Sequence, residues 1–193
     1  MTNPYLPTND TLPIPTYTID LSLPPDQRYN ALAKDFAPKL HTLTHLFDEI
    51  IASVTPNIFF QRVIKFVSSI LLCRLYSSEE TQEVKGISRD SGVPLYLVVA
   101  LNVILDSLLG CTSGAVKTTV KKGSKTKTSE DDEARMIHFR TLDWGMDPLR
   151  DVLVILEFVR SGSDKPDEVV ARSITYAGFV GVLTGVRYVL LDG

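Results

Sequence analysis

The sequence predicts an α+β protein in which helices occupy the first part of the chain and an antiparallel sheet occupies the second. Up to Gly110, apolar residues recur mostly at the three- and four-residue spacing of amphipathic helices. From Cys111 onward, short runs rich in Val, Ile and Thr alternate with polar loops, as is typical of strands. Because the pattern changes between Gly110 and Cys111, we expect one structural segment to end and another to begin there.

The first two predicted segments are an extended arm at residues 1–24 and a helical segment at residues 25–110. The arm contains five prolines, which favour extended backbone, and one short strand at residues 16–21. In the helical segment, we expect Pro38 to kink or restart the first helix. The helices predicted for this segment lie at residues 26–36, 40–50, 58–72, within 77–92, and at 94–108.

The third predicted segment, residues 111–193, is the strand-rich part of the chain. Between its first two strands lies a stretch at residues 121–133 with a basic half followed by an acidic half, which favours a solvated loop over a partner site. The predicted strands lie at residues 113–120, 135–140, 152–159, 169–176 and 179–186.

Composition and charge exclude several functional classes. A length of 193 residues with 44% hydrophobic content allows one or two structural units with a buried core. The net charge of -3 argues against a nucleic-acid partner, which requires clustered excess Lys and Arg. The N-terminus lacks the basic start and apolar stretch of a secretory signal, so the sequence as written leaves the compartment unknown.

One helix is apolar enough to raise the question of membrane contact. Residues 58–72 are interrupted by Gln61, Arg62 and Lys65, and no run reaches the roughly eighteen apolar residues that a spanning helix needs. We interpret this helix either as a core helix packed on the sheet or as an amphipathic helix that contacts a membrane surface.

The cysteine and histidine positions predict neither a metal site nor a cofactor. Cys73 and Cys111 lack the paired spacing of a zinc or CxxC redox motif. His41 and His45 lie one helical turn apart and could supply two ligands at most, so we interpret them, together with His138, as structural.

Cys111 stands at the predicted change from helix to strand, where it is a candidate nucleophile. A buried cysteine taken alone is more often a small apolar side chain. Further along the chain, residues 137–145 (IHFRTLDWG) place Arg140 and Asp143 at the end of the next strand. In a hairpin, these two residues come close enough to reach the start of the Cys111 strand.

Four ordered motifs together resemble the family of acid ceramidase and N-acylethanolamine-hydrolysing acid amidase. They are residues 15–25 (PTYTIDLSLPP), residues 111–113 (CTS), the later RxxDWG at residues 140–145, and residues 176–185 (YAGFVGVLTG). The resemblance thus extends from about residue 15 to about residue 187. It implies an N-terminal-nucleophile hydrolase with an αββα sandwich, in which two stacked sheets are flanked by helices.

The resemblance also implies a mechanism and assigns the site residues. The precursor would be cut between Gly110 and Cys111, which separates a helical α-chain from a catalytic β-chain that remains associated with it. Cys111 would then supply both the nucleophilic thiol and, through its new α-amine, the base. Arg140 would stabilise the thiolate or an acyl oxygen, and Asp143 would orient the amine. The reaction would cleave ceramide to a fatty acid and sphingosine, in a lysosome-like or acidic secretory compartment.

The sequence departs from the family pattern in ways that leave other interpretations open. The family has a Gly before the Arg and an Asn after it, whereas this chain has Phe139 and Thr141. We also expect the chain to stop before the catalytic domain is complete. The alternatives are an N-acylethanolamine amidase, an enzyme of the penicillin V acylase or bile salt hydrolase type, and a non-catalytic protein that binds lipid or a partner. The long helical segment disfavours the second alternative.

Overall fold

The structure is a computed structural model that describes residues 14–107, 111–120, 133–142 and 147–187. Apart from one N-terminal strand, the helices precede the strands, as the sequence predicts, so the α+β fold class is confirmed. The helices are α1 (Asn30–Val54), α2 (Ile58–Leu71), α3 (Ser78–Ser91) and α4 (Leu95–Ser107). The strands are β1 (Thr16–Asp20), β2 (Cys111–Val120), β3 (Glu133–Leu142), β4 (Leu153–Val159), β5 (Ala171–Tyr176) and β6 (Thr184–Arg187). Short 3₁₀ helices lie at Pro25–Gln27 and Asp147–Val152.

The chain forms two compact units, of which the first contains the four helices and a four-stranded sheet in the order β1-β4-β5-β6. Strands β4, β5 and β6 pair antiparallel, as predicted. Strand β1 pairs parallel to β4, from Thr16 opposite Ile155 to Asp20 opposite Val159, which makes the sheet mixed. The antiparallel prediction concerned the strands after Cys111 and did not include β1, because a strand pattern does not reveal which distant strand it joins.

Helix α1 runs through Pro38 without restarting. Proline has no N–H to donate to the carbonyl of Lys34 four residues earlier. Both Lys34 and Pro38 are exposed, so water can serve that carbonyl. The expected second helix start after Pro38 is therefore wrong, since apolar residues on both sides of the proline lie on one buried stripe.

The core of this unit lies between the sheet and helices α1, α3 and α4. Buried side chains include Ile19 of β1, Phe36 of α1 and Leu156 of β4. The rings of Tyr17 and Phe36 meet edge to face with centroids 6.0 Å apart, which joins β1 to α1. Strand β1 thus contributes to the core of this unit.

Helix α3 packs closely against the 3₁₀ helix at residues 25–27. A Cβ at Gly86 would lie 2.1 Å from the carbonyl oxygen of Asp26, so only glycine allows this approach. Two arginines stabilise the contact. Arg28 donates to Glu83 at 2.9 Å, and Arg89 donates to the carboxylate of Asp26 at 3.0 Å. Burial raises the pKa of Glu83 above its ordinary value of 4.5 and outweighs the opposite effect of Arg28.

Helix α2 differs from the other helices because it contributes nothing to the core. All fourteen of its residues are described, and none is buried. Its N-terminus is capped by Asn57, whose Oδ1 accepts from the N–H of Phe59 at 2.9 Å, and Lys65 pairs with Asp48 of α1 at 2.6 Å. The interpretation as a core helix is therefore wrong. Eight large apolar side chains are exposed: Ile58, Phe59, Phe60, Val63, Phe66, Val67, Ile70 and Leu71.

The second unit contains the antiparallel hairpin of β2 and β3. Its register runs from Cys111 opposite Leu142 to Val120 opposite Glu133. The side chains of Val116, Met136 and Ile137 are exposed. Side chains at successive positions of a strand point to opposite faces, so this register decides which residues share a face.

Candidate active site

Cys111 is the first residue of β2, so the predicted position of the nucleophile at a strand start agrees with the backbone. Gly110 and Asp143 lie outside the described residues. The structure describes Cys111 and Arg140 through their backbone positions and pairing. The predicted cleavage bond and the predicted role of Asp143 therefore stay predictions.

The hairpin register brings the positions of Cys111 and Arg140 to the same face. Cys111 is opposite Leu142, and Ser113 is opposite Arg140. Directly opposite residues share a face, as do alternate residues along a strand. Positions 111 and 140 are therefore diagonal neighbours on one face, a separation that long side chains can span.

Phe139, one of the departures from the family pattern, belongs to the other face of the hairpin. It lies opposite Gly114, where a Cβ would come within 2.7 Å of its ring. The glycine thus makes room for the aromatic ring, an arrangement that is common across strand pairs. Because the faces alternate, Phe139 does not occupy the face of Cys111 and Arg140.

The loop after β5, residues 177–183, carries most of the motif at residues 176–185 and is fixed by one buried side chain. Asn102 of α4 is 1% exposed. Its Nδ2 donates to the carbonyl of Gly178 at 2.8 Å, and its Oδ1 accepts from the N–H of Val180 at 3.0 Å. Gly178 has φ of 89°, a left-handed conformation that favours glycine.

Asn102 has a structural role that the sequence analysis missed. A second bond from its Nδ2 to the carbonyl of Val98 at 2.8 Å completes its partners. The available signal was a single polar residue in the middle of an apolar helix. Such a residue is buried only when it is hydrogen-bonded, which could have indicated an anchor for a loop.

A groove at the C-terminal end of α4 contains charged groups a few residues before Cys111. The groove measures about 600 Å³, and its lining includes Arg74, Glu80 and Asp106. Burial, with a contribution from the negative charge of Glu80, raises the pKa of Asp106 above its ordinary value of 3.8. Asp106 therefore retains its proton to a higher pH than a solvated aspartate.

Within the described residues, no group of three or more His, Cys, Asp or Glu side chains could hold a metal ion. His41 hydrogen-bonds to the carbonyl of Ser91 at 3.1 Å, and Cys73 is an exposed free thiol. Among the described helices, none is long and apolar enough to cross a membrane.

Comparison with known proteins shows which family the chain resembles. Residues 13–72 match the family described as the beta subunit of N-acylethanolamine-hydrolyzing acid amidase. Acid ceramidase of Heterocephalus glaber is 26% identical over 191 residues, which covers 91% of this chain and 43% of that protein. Acid ceramidase of Rattus norvegicus is 26% identical over 196 residues, which covers 93% of this chain and 44% of that protein. These matches show that the chain is similar to the acid ceramidase and N-acylethanolamine-hydrolysing acid amidase family over most of its length. The resemblance carried by the four motifs is confirmed.

Two further comparisons show how much of the length of its relatives this chain covers. Acid ceramidase of Homo sapiens is 27% identical over 190 residues, which covers 90% of this chain and 43% of that protein. The chain thus spans less than half the length of the acid ceramidases it matches. Among solved structures, a Caenorhabditis elegans N-acylethanolamine-hydrolyzing acid amidase ortholog is 29% identical, covers 51% of this chain and 90% of that chain, and has a TM-score of 0.37.

Proposed function

We propose that this chain provides the helical segment and the nucleophile strand of an amidohydrolase that cleaves the amide bond of ceramide. Similarity to the family supports this function, and so do the relatives named acid ceramidase. The observation that carries the assignment of residues is the register of the hairpin, which makes positions 111 and 140 diagonal neighbours on one face. An N-acylethanolamine is the alternative substrate, since the matching family is described as an N-acylethanolamine amidase.

The proposed first step is self-cleavage of the precursor. The Cys111 thiol attacks the carbonyl carbon of Gly110, the peptide C–N bond breaks, and a thioester forms while the nitrogen becomes the α-amine of Cys111. Water then hydrolyses the thioester. The products are a chain that ends at Gly110 and a chain that begins with Cys111. We propose that these two chains remain associated as an α-chain and a β-chain. The α-chain would consist of the arm at residues 1–24 and the helical segment at residues 25–110, and the β-chain would begin at residue 111.

In the proposed turnover, the free α-amine of Cys111 accepts the proton of its own thiol. An α-amine titrates near neutrality and can act as a base where a lysine amine remains protonated. The thiolate attacks the amide carbonyl of the lipid, and the amine product leaves with a proton. Water hydrolyses the resulting thioester and releases the fatty acid.

Arg140 and Asp143 are the proposed partners of the nucleophile. The guanidinium of Arg140 remains charged and offers several donors, which suits it to stabilise the thiolate or the negative oxygen that forms during attack. Asp143 would accept a hydrogen bond from the α-amine and favour its protonated form. Replacing Arg140 with Lys should retain more activity than replacing it with Ala, because a single positive charge remains.

We also propose that α2 brings the protein to the lipid surface where the substrate resides. Its exposed apolar side chains and the cations Arg62 and Lys65 are the combination that binds at membrane interfaces. The matched test compares Phe66→Ser with Ser69→Ala in sedimentation with anionic vesicles. Phe66→Ser should reduce binding, whereas Ser69→Ala, at an exposed position in the same helix, should not.

Trapping of the acyl intermediate tests the proposed activity. The protein is incubated at mildly acidic pH with a short-chain ceramide, quenched in acid, digested and analysed by mass spectrometry. We expect the acyl mass on the peptide that begins with Cys111, and we expect it to persist in Cys73→Ala. An acyl mass on Cys73 alone would contradict the assignment. Turnover in a Cys111→Ala variant would contradict the mechanism.

A further inference from the structure

Helices α1 and α4 leave a cavity between them that the proposed chemistry does not use. Its volume is about 40 Å³. Its lining includes the buried residues Leu43 and Leu105 and the half-buried residues Phe47, Leu101 and Ile104; we infer from this difference in burial that the cavity opens beside the half-buried residues, which we call its mouth. The cavity therefore has one closed end in the core and one end that faces the surface of this unit.

Among its described lining residues, the cavity offers no free side-chain polar group to a ligand. Thr44 is the one hydroxyl-bearing residue of this described lining, and its hydroxyl donates to the carbonyl of His41 at 2.7 Å. The carbonyl of Gly178 accepts from Asn102 at 2.8 Å. A polar ligand would lose its hydrogen bonds to water here without replacement, which is unfavourable. An apolar cavity of this kind stays dry and accepts apolar guests.

The size of the cavity restricts the shape of the guest. One water needs roughly 10–15 Å³ when volume is measured by the centre of a water-sized sphere, so the cavity holds about three such spheres. Drug-sized ligands occupy pockets of roughly 300–1,000 Å³. A slim unbranched chain of a few methylenes can enter, whereas a ring system cannot.

The wall at Gly178 keeps the cavity narrow. A Cβ at this position would lie 3.1 Å from Cδ2 of Leu40 and 3.4 Å from Cδ2 of Leu101. Those distances leave little slack for a side chain at this wall, and the bond from Asn102 holds the loop in place. The geometry of the cavity is therefore set by packing rather than by a mobile surface.

We propose that this cavity binds the terminal methylenes of one unbranched hydrocarbon chain that belongs to a monoacyl amphiphile, with the polar head outside the mouth. The inference does not depend on amide hydrolysis at Cys111. Each methylene that enters adds about 0.8 kcal/mol, which is roughly a fourfold gain in affinity, until the cavity is full.

The test uses propanoate, butanoate, hexanoate, octanoate and decanoate below their micelle concentrations, with the protein labelled at the methyl groups of Leu and Val. We expect shifts at the methyls of Leu43, Leu101 and Leu105. Affinity should rise with chain length by about fourfold per methylene that enters and then level off. Cyclohexanecarboxylate should bind at least tenfold more weakly than octanoate.

Two substitutions on α4 separate this cavity from general binding to apolar surface. Leu101→Phe narrows the mouth and should weaken octanoate binding at least tenfold. Val103→Phe adds the same aromatic ring at a position that is 42% exposed and lies outside the lining, so it should leave the affinity unchanged. If Leu101→Phe does not fold, Ile104→Phe at the same mouth takes its place.

Two results would overturn the inference. Equal octanoate affinity in the mouth variant and in Val103→Phe would show that the cavity is not the site. Shifts confined to Val63 and Val67 would show that the chains bind the exposed face of α2 instead.

Discussion

Replacing Asn102 with leucine should be one of the most destabilising single changes in the helical unit. The side chains are similar in size, so packing changes little, but the carbonyl of Gly178 and the N–H of Val180 lose their partner. A buried polar group without a hydrogen bond costs about 1–3 kcal/mol. The cost of two such groups is partly offset by the gain from burying an apolar side chain, so the free energy of unfolding should fall by about 3 kcal/mol.

Urea unfolding and amide exchange measure this effect. A loss of about 3 kcal/mol corresponds to a fall in Tm of roughly 6–12 °C for a protein of this size. The amide of Val180 should exchange much faster in Asn102→Leu, because the bond that protects it is absent. Ser107→Ala is the control, since this exposed hydroxyl at the end of α4 should change stability by less than about 0.5 kcal/mol.

Asn102→Asp adds a pH-dependent test of the same geometry. At neutral pH, a carboxylate would face the carbonyls of Val98 and Gly178, which are both acceptors. Only its protonated form can donate, so its pKa should be raised in the folded state, and the variant should gain stability as the pH falls. The reasoning is refuted if Asn102→Leu stays within 1 kcal/mol of wild type and Val180 retains its protection.

Three other changes test the packing of the helices. Gly86→Ala should destabilise by about 1–3 kcal/mol in urea unfolding despite better helix propensity, because its Cβ would meet the Asp26 carbonyl at 2.1 Å; a stabilised variant would contradict the close contact. Burial raises the pKa of Glu83, so the folded state favours its protonated form. The resulting contribution to the free energy of unfolding is fully present below the ordinary pKa of 4.5 and is lost as the pH rises through the folded pKa. Unfolding of Glu83→Gln across that range should therefore depend less on pH than wild type does, and an unchanged dependence would refute this cause. Asn57→Ala should speed amide exchange in the first turn of α2, since loss of a cap costs about 1 kcal/mol and α2 has no buried residue to compensate, and unchanged exchange would contradict it.

The sequence predicted the bounds of the helices and strands better than it predicted which elements pack against each other. Helix α2 begins where expected and ends within one residue of the prediction, because apolar periodicity is a local signal. Its exposure could not be predicted, since a wide apolar stripe fits a core as well as a lipid surface. The parallel pairing of β1 with β4 could likewise not be predicted from the sequence, because it joins distant parts of the chain.

The last predicted strand shows how a tertiary contact overrides local preference. Residues 179–186 contain Phe179 and three valines and predict a strand, but β6 begins at Thr184. The preceding residues form a loop because Gly178 adopts a left-handed conformation and Asn102 binds the loop backbone. Neither cause is visible from the composition of the segment.

For the candidate site, the sequence supplied the residues and the structure supplied the register. The motifs indicated Cys111 and Arg140, but only the pairing of Ser113 with Arg140 makes them diagonal neighbours. The same register places Phe139 on the opposite face, against Gly114, which the sequence could not show because an alternating pattern does not fix the partner strand.

The measurement that tests the central claim most directly is the intact mass of the chain after incubation at mildly acidic pH. Three forms are compared: wild type, Cys111→Ala and Cys73→Ala. We expect wild type and Cys73→Ala to split into two fragments at the bond between Gly110 and Cys111, and we expect Cys111→Ala to remain whole. Cleavage of Cys111→Ala at that bond, or an uncut wild type, would contradict the assignment of Cys111 as the nucleophile of its own maturation.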